Sequence, residues 1–317
     1  MGEFELIAKL FAPLATERGA LGLKDDAAFL KFTSNKETVV TMDVLVEGVH
    51  FPSDTPPGWV AQKALGVNLS DLAAIGADPF GYILGLQIPE GRSVEWLTDF
   101  SKGLQLWQEV HSISLLGGDT VVTPGPFTIS ITAIGSVNDG KALLRSGAQT
   151  GDQVFVSGTI GDAFLGLGVV RGEHEVLTDD DRIFLKERFH LPKPRLRLGS
   201  LLKNYGSSAI DVSDGLVADA GHIAATSGVR LEIDADKVPL SDAAQAAITA
   251  GIASIGELIT GGDDYELLFT MAQGRSLPLT SQDVQVTEIG CVVEGAGVGV
   301  TLGGKELPLS KKGYTHL

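Results

Sequence analysis

A single cysteine, Cys291, occurs in 317 residues, which excludes an intrachain disulfide and a cysteine-based zinc cluster and gives no sign of an oxidising compartment. Basic residues are also scarce: 24 Lys and Arg stand against 40 Asp and Glu, a net charge of −16 at pH 7. That deficit argues against nucleic acid or an anionic membrane surface held through a basic patch. No apolar run is long enough to span a bilayer. The opening MGEFELIAKLFAPL lacks the basic start and continuous apolar core of a signal peptide; its pattern is that of a short amphipathic helix with Glu3 and Glu5 on the wet side. Leu6 stands where a myristoylation signal beginning at Gly2 carries Ser or Thr. The cytoplasm is the expected location. Missing too are a G-x-x-x-x-G-K-[ST] phosphate loop, a tandem repeat and a low-complexity tail.

What is present is an alternation of strand and helix patterns over a length that favours two domains. DDAAFLKF and ETVVTMDVLV read as strands. GWVAQKALGVNLSDLAAIGADP reads as a helix ended by Gly76 and Pro79, with Asn68 and Asp71 three apart on one face. GYILGLQIP is a strand, SVEWLTDFSKGLQLWQEV a helix, SISLLGGDT a strand ending in a glycine turn, and PFTISITAIGSV an alternating strand. RSGAQTGD turns small and polar, which places a boundary near residue 147 and gives domains 1–147 and 148–317. Beyond it come the strand DQVFVSG, a helix over Asp162 to Val170, a charged helix in GEHEVLTDDDRIFLKERF and another after Pro192 and Pro194. SAIDVSDGLVADAGHIAATSG then delivers Asp211, Ser213 and Asp214 from a short strand into a helix that closes at Gly228. The expected fold class is α/β, mixed α+β.

Aspartates interrupt these elements at telling places. Asp25 and Asp26 open a strand, Asp43 lies late in the next, Asp71 is in a helix, Asp119 follows two glycines, and Asp211 and Asp214 flank a strand-to-helix turn. Converging carboxylates repel, and each costs several kcal/mol to desolvate without compensation. No basic cluster lies near them in sequence, so divalent cations are the economical compensation, and hard oxygen ligands suit magnesium better than zinc. Taken singly, each aspartate is as readily a cap or turn residue, and GGDT and GGDDYEL are as readily tight turns as phosphate cradles. On the residues alone, His50 at a strand end and Tyr314 in the tail need no chemistry.

The order of the motifs is more specific than any one of them. DDAAFL, TMDVLVEGVHF, NLSDLAAIGADP, GGDT, LRSGAQTGD, IDVSDGLVADAGHI, GGDDYELLF and the tail KKGYTHL resemble the thiamine-monophosphate kinase family, within the aminoimidazole ribonucleotide synthetase superfamily, over nearly the whole chain. The resemblance implies an N-terminal α/β domain that binds ATP and magnesium and pairs in a homodimer, and a C-terminal α/β domain that completes the site. It implies phosphorylation of thiamine monophosphate to thiamine diphosphate by ATP, with several magnesium ions and potassium in support. Carried over residue by residue, it implies metal positions at Asp26, Thr41, Met42, Asp43, Asp71, Asp119, Asp211 and Asp214, nucleotide positions at Gly118, Asp119, Arg145 and Ser213, and substrate positions at His50, Glu266 and Tyr314. The family glycine before the paired aspartates is Lys24 here.

Such a transfer brings anions together, so neutralisation and alignment are the main tasks, and an ionised acceptor phosphate needs no strong base. No covalent catalytic nucleophile is expected, and direct in-line transfer is. Among the alternatives, a selenophosphate synthetase carries a reactive cysteine or selenocysteine near its N-terminus and the hydrogenase-maturation relative a C-terminal one; Cys291 suits neither. Aminoimidazole ribonucleotide synthetase matches less of the chain, and a non-catalytic sensor has no need of the metal aspartates that are present.

Overall fold

A computed structural model describes residues 3–24, 27–28, 30, 34–278, 284–311 and 313–314. The contacts divide the chain into two compact units, one of residues 1–72 and 77–140, the other of residues 73–76 and 141–317. Each unit carries one sheet, so the expected α/β class with two domains is what is found. The segment DDAAFLKF, Asp26 included, lies largely outside the described residues.

The first unit begins with a short helix, α1 (Glu3–Leu6), and then runs β1 (Lys36–Val46), α2 (Pro57–Ala74), β2 (Asp78–Pro89), α3 (Val94–His111), β3 (Ser114–Thr123) and β4 (Thr128–Asn138). The sheet order is β1-β4-β2-β3, with β2 and β3 parallel through the α3 crossover and the other pairs antiparallel. Period-two alternation gives the sheet two unlike faces. Tyr82, Leu84, Leu86, Ile129, Ile131 and Ala133 are buried on one, where Tyr82 donates to Gln108 of α3 at 2.9 Å. Helices α2 and α3 approach closely at Gly58 and Gly103; a Cβ on Gly103 would lie 2.4 Å from the Gly58 carbonyl. On the other face Val40, Met42, Val44 and Ile83 remain 60%, 58%, 43% and 44% exposed.

One expectation needs correction here. GGDT is not a turn: β3 runs straight through Gly117 and Gly118 to Thr123. Gly118 serves close strand packing instead, since a Cβ on it would fall 2.0 Å from the Leu84 carbonyl, while Gly117 faces open space.

The second unit contains β5 (Gln153–Ser157), α4 (Asp162–Val170), α5 (Asp179–His190), α6 (Leu196–Leu202), β6 (Ser208–Asp211), α7 (Leu216–Ser227), β7 (Arg230–Asp234), α8 (Asp242–Thr249), α9 (Ile255–Thr260), β8 (Leu267–Met271), β9 (Val286–Val293), β10 (Gly297–Leu302) and β11 (Lys305–Glu306). Its sheet order is β11-β10-β7-β9-β5-β8-β6. Val154, Val156, Ile210, Leu268, Ile289 and Leu231 form its core with Leu216, Ala220 and Ile223 of α7. Helix α7 ends where expected, at Gly228 with φ 68°.

Candidate active site

In the first unit, β1 offers Thr41 and Asp43 on the face opposite Met42, as alternation requires. The Thr41 hydroxyl donates to Asp71 Oδ2 on α2, a very short contact that orients the Asp71 carboxylate. Burial pushes the Asp43 carboxyl up from 3.8 to about 7, and the neighbouring Asp71 charge pushes it the same way. Two crowded, half-buried carboxylates beside a hydroxyl form an all-oxygen donor set that a hard dication would relieve. The Met42 side chain lies on the exposed face, so only its backbone could serve beside Thr41 and Asp43. Four residues past the end of β1, His50 is held by its own loop: its Nδ1 accepts from the Val46 amide at 3.0 Å and its amide donates to the Val46 carbonyl at 2.9 Å.

The register sets Asp43, Ile131, Leu84 and Gly118 in one row across the sheet. Three strand spacings, about 14 Å in all, therefore separate Asp43 from Gly118. Asp119 falls in the next row with Gly85 and Ser130, on the face that carries Val44, and its Oδ1 accepts from the Thr120 amide at 2.9 Å. A cavity of about 580 Å³ opens there, walled by Ala27, Ala28, Ile83, Gly118, Asp119 and Thr132. Asp26 lies outside the described residues.

In the second unit, Asp211 ends β6 with only 4% exposure, and the chain turns through Ser213 and Asp214 into α7. The turn is held by many partners. Asp219 Oδ2 accepts from the amides of Ser213, Asp214 and Gly215 at 3.0, 3.1 and 3.2 Å. The amides of Asp263 and Tyr265 donate to the carbonyls of Ser213 and Val212, each at 2.8 Å, and the Tyr314 amide donates to the Asp214 carbonyl at 2.9 Å. Carboxylate oxygens of Asp214 and Asp219 and a ring nitrogen of His222 all lie within 4.8 Å of one another. Burial and the Asp214 charge push Asp219 up to about 7 against the three amides, which pull it down. Arg145 is exposed, and its carbonyl accepts from Ser227.

Glu266 is wholly buried. Arg195 grips it bidentately at 2.7 and 2.5 Å, Arg188 adds a bond at 3.1 Å and Ser157 one at 2.6 Å. Arg188 also pairs with Asp162 at 3.5 Å, and Asp162 accepts from Ser241 at 2.5 Å. Beside them Asp264 caps the start of α4 through the amides of Gly161 and Ala163 at 2.8 and 3.2 Å. Burial raises its carboxyl to about 8, although nearby Arg188 pulls the other way.

Comparison with known proteins gives these placements a context. Residues 24–137 match the N-terminal domain of AIR synthase related protein and residues 149–303 its C-terminal domain. The chain is 41% identical to the thiamine-monophosphate kinase of Caulobacter vibrioides, across 99% of this chain and 90% of that one. The chain belongs to the thiamine-monophosphate kinase family. A crystal structure of thiamine-monophosphate kinase from Stenotrophomonas maltophilia superposes with a TM-score of 0.85 at 41% identity, over 97% of this chain and 98% of that one. The AaThiL complex with AMPPCP and TMP follows at 0.81 and 35%, over 100% and 97%. The thiamine-monophosphate kinase family transfers phosphate from ATP to thiamine monophosphate.

Of the residues expected from this kinase family, the structure brings Thr41, Asp43 and Asp71 together in one unit and Asp211, Ser213, Asp214 and Tyr314 near one turn in the other. Gly118 and Asp119 stand apart from Asp43 by the width of the sheet. Sequence reasoning missed Arg188, Arg195, Asp162, Asp219 and Asp264. Asp162 and Asp219 carried a local signal, an acid in the first turn of α4 and of α7.

Proposed function

We propose that this kinase transfers the γ-phosphoryl group of ATP directly, in line, to the phosphate of thiamine monophosphate. The arrangement of Asp43 and Asp71 beside Thr41 supports the reading most strongly, because two repelling, half-buried carboxylates are matched by a cation and by little else in an all-oxygen site. Magnesium ions would be held by Asp26, Thr41, the Met42 backbone, Asp43, Asp71, Asp119, Asp211 and Asp214. When bound, they would neutralise the phosphate oxygens and draw off charge as the bond to the leaving ADP lengthens.

The protein's own groups have simpler tasks. Thr41 fixes the Asp71 carboxylate through its hydroxyl. Gly118 presents bare backbone beside Asp119, where the cavity of the first unit has room for part of a nucleotide. Ser213 and the planar fork of Arg145 hold nucleotide phosphates. His50, Glu266 and Tyr314 are the thiamine monophosphate positions, with wholly buried Glu266 acting through the two arginines that hold it. No side chain needs to accept a proton, since the acceptor phosphate is already ionised.

The domains act as 1–147, binding ATP and magnesium and forming the dimer, and 148–317, completing the chemistry. Homodimerisation is supported by the apolar face of Val40, Met42, Val44 and Ile83, which is large and exposed for a surface with no partner. Potassium assists, and the protein works in the cytoplasm; among the described residues no helix is long and apolar enough to cross a membrane. The deciding test is formation of thiamine diphosphate and ADP in equal amounts from ATP, magnesium and thiamine monophosphate, abolished by EDTA. A phosphorylated enzyme formed with ATP alone, and able to pass its phosphate to the acceptor, would refute direct transfer.

A further inference from the structure

Among acidic groups close to the expected ligands, Asp219 is distinguished by what it touches. Its side chain is 2% exposed, and one of its oxygens collects the amides of three successive residues, Ser213, Asp214 and Gly215. Three amides converging on one carboxylate favour its charged form, against the burial and the Asp214 charge that oppose it. Asp214, with a carboxylate oxygen within 4.8 Å of Asp219, has its charge left for a cation. The two neighbouring carboxylates thus divide the work: one is bound inward by backbone, the other is available outward.

We infer that Asp219 is a positioning residue for magnesium and nucleotide, because its carboxylate fixes the backbone from which Ser213 and Asp214 project. The inference rests on the reading of Ser213 and Asp214 as nucleotide and metal positions. Of the other partners, the amides of Asp263, Tyr265 and Tyr314 hold carbonyl groups, and the Glu266 carbonyl takes the Val212 amide upstream; Asp219 holds the N–H groups of residues 213–215. Without it three amides inside the unit lose their acceptor, and the turn can rotate toward solvent to satisfy them. The path of the chain into α7, through Gly215 at φ 118°, depends on the same anchor.

The test compares Asp219→Ala, Asp219→Asn and Asp214→Asn with the parent enzyme. Magnesium-dependent binding of AMPPCP is read by calorimetry, and the KM values for ATP and thiamine monophosphate are read separately. Loss of a group that orients a metal ligand typically weakens metal affinity about 10- to 100-fold. Asp219→Ala is expected to raise the half-saturating magnesium concentration and the KM for ATP by about tenfold, with the KM for thiamine monophosphate unchanged. Asp219→Asn, which retains a carbonyl acceptor of the same shape, should fall between parent and alanine variant. If Asp219→Ala does not fold, Asp219→Asn decides, and parental magnesium and AMPPCP affinities in it overturn the inference. A fall in kcat with every affinity unchanged would mark a purely structural role and overturn it as well. If Asp214→Asn shifts magnesium dependence and the Asp219 variants do not, only the positioning role fails; if Asp214→Asn shifts nothing, the reading of the turn fails and the inference with it.

Discussion

Replacing Asp43 by Asn tests the logic of the first-unit carboxylates without reference to turnover. In the folded protein the Asp43 carboxyl titrates near 7 rather than 3.8, through burial first and the Asp71 charge second. A raised carboxyl favours folding fully below about pH 4, and that contribution is lost as pH rises to about 7, because the unfolded chain releases the proton earlier. Roughly three pH units at about 1.4 kcal/mol each set a ceiling of ~4 kcal/mol. Solvent reaching a half-buried group lowers the figure to about half the ceiling, ~2 kcal/mol, which corresponds to about 4–8 °C in Tm for units of this size. Asp43→Asn, neutral at every pH, should therefore melt with the parent near pH 4 and above it by that margin at pH 8, both in EDTA. Magnesium should raise the parent's Tm at pH 8 and act much less on the variant. Thermal melts across pH 4 to 8.5, with and without magnesium, provide the assay. Parallel pH profiles for the two proteins, or an equal magnesium effect, would refute the reasoning.

Arg188→Met removes one of the two arginines on buried Glu266 and the arginine paired with Asp162, so urea unfolding should show a loss of about 3–5 kcal/mol; a loss below about 1 kcal/mol would mean that Arg195 alone suffices. Gly118→Ala drives a Cβ to 2.0 Å from the Leu84 carbonyl, whereas Gly117 faces open space. Thermal melts should accordingly show a cost of about 1–3 kcal/mol for the first and within about 0.5 kcal/mol of zero for Gly117→Ala. Val40→Glu puts a charge on the exposed sheet face, and on the homodimer proposed above sedimentation should find a dimeric parent and a monomeric variant at the same concentration; a monomeric parent, or identical sedimentation of the two, would refute this face as the dimer contact.

Local pattern was enough to read most elements, because their boundaries are set locally. Gly76 and Gly228 close their helices, Asp162–Val170 is helical as its pattern predicts, and the two-faced alternation of Val40 to Leu45 survives intact in β1. The turn assigned to Gly117–Gly118 failed for a non-local reason: two glycines look flexible in isolation, and only the neighbouring β2 shows that Gly118 is required for closeness. The same limit hid Arg188 and Arg195. Each is an ordinary surface type in a charged stretch, and what makes them internal is Glu266, which the fold brings from a distant part of the chain. Asp43 was legible as an oddity within its strand, yet what raises its carboxyl to about 7 is burial first and then the charge of Asp71 on a separate helix, neither of which is local.

The amide of Tyr314 on the carbonyl of Asp214 works as a latch. It joins the last described residue of the chain to the turn at the head of α7, two places far apart in sequence. Peeling back the tail releases one restraint on that turn, and anything that stiffens the turn retains the tail. Such linkage is reciprocal by thermodynamic necessity: the free energy by which an occupant of the turn tightens the latch is the same by which a closed latch tightens the occupant. A chain trimmed of its final residues would thus lose more than an aromatic ring, because the backbone bond that steadies Asp214 would leave with it.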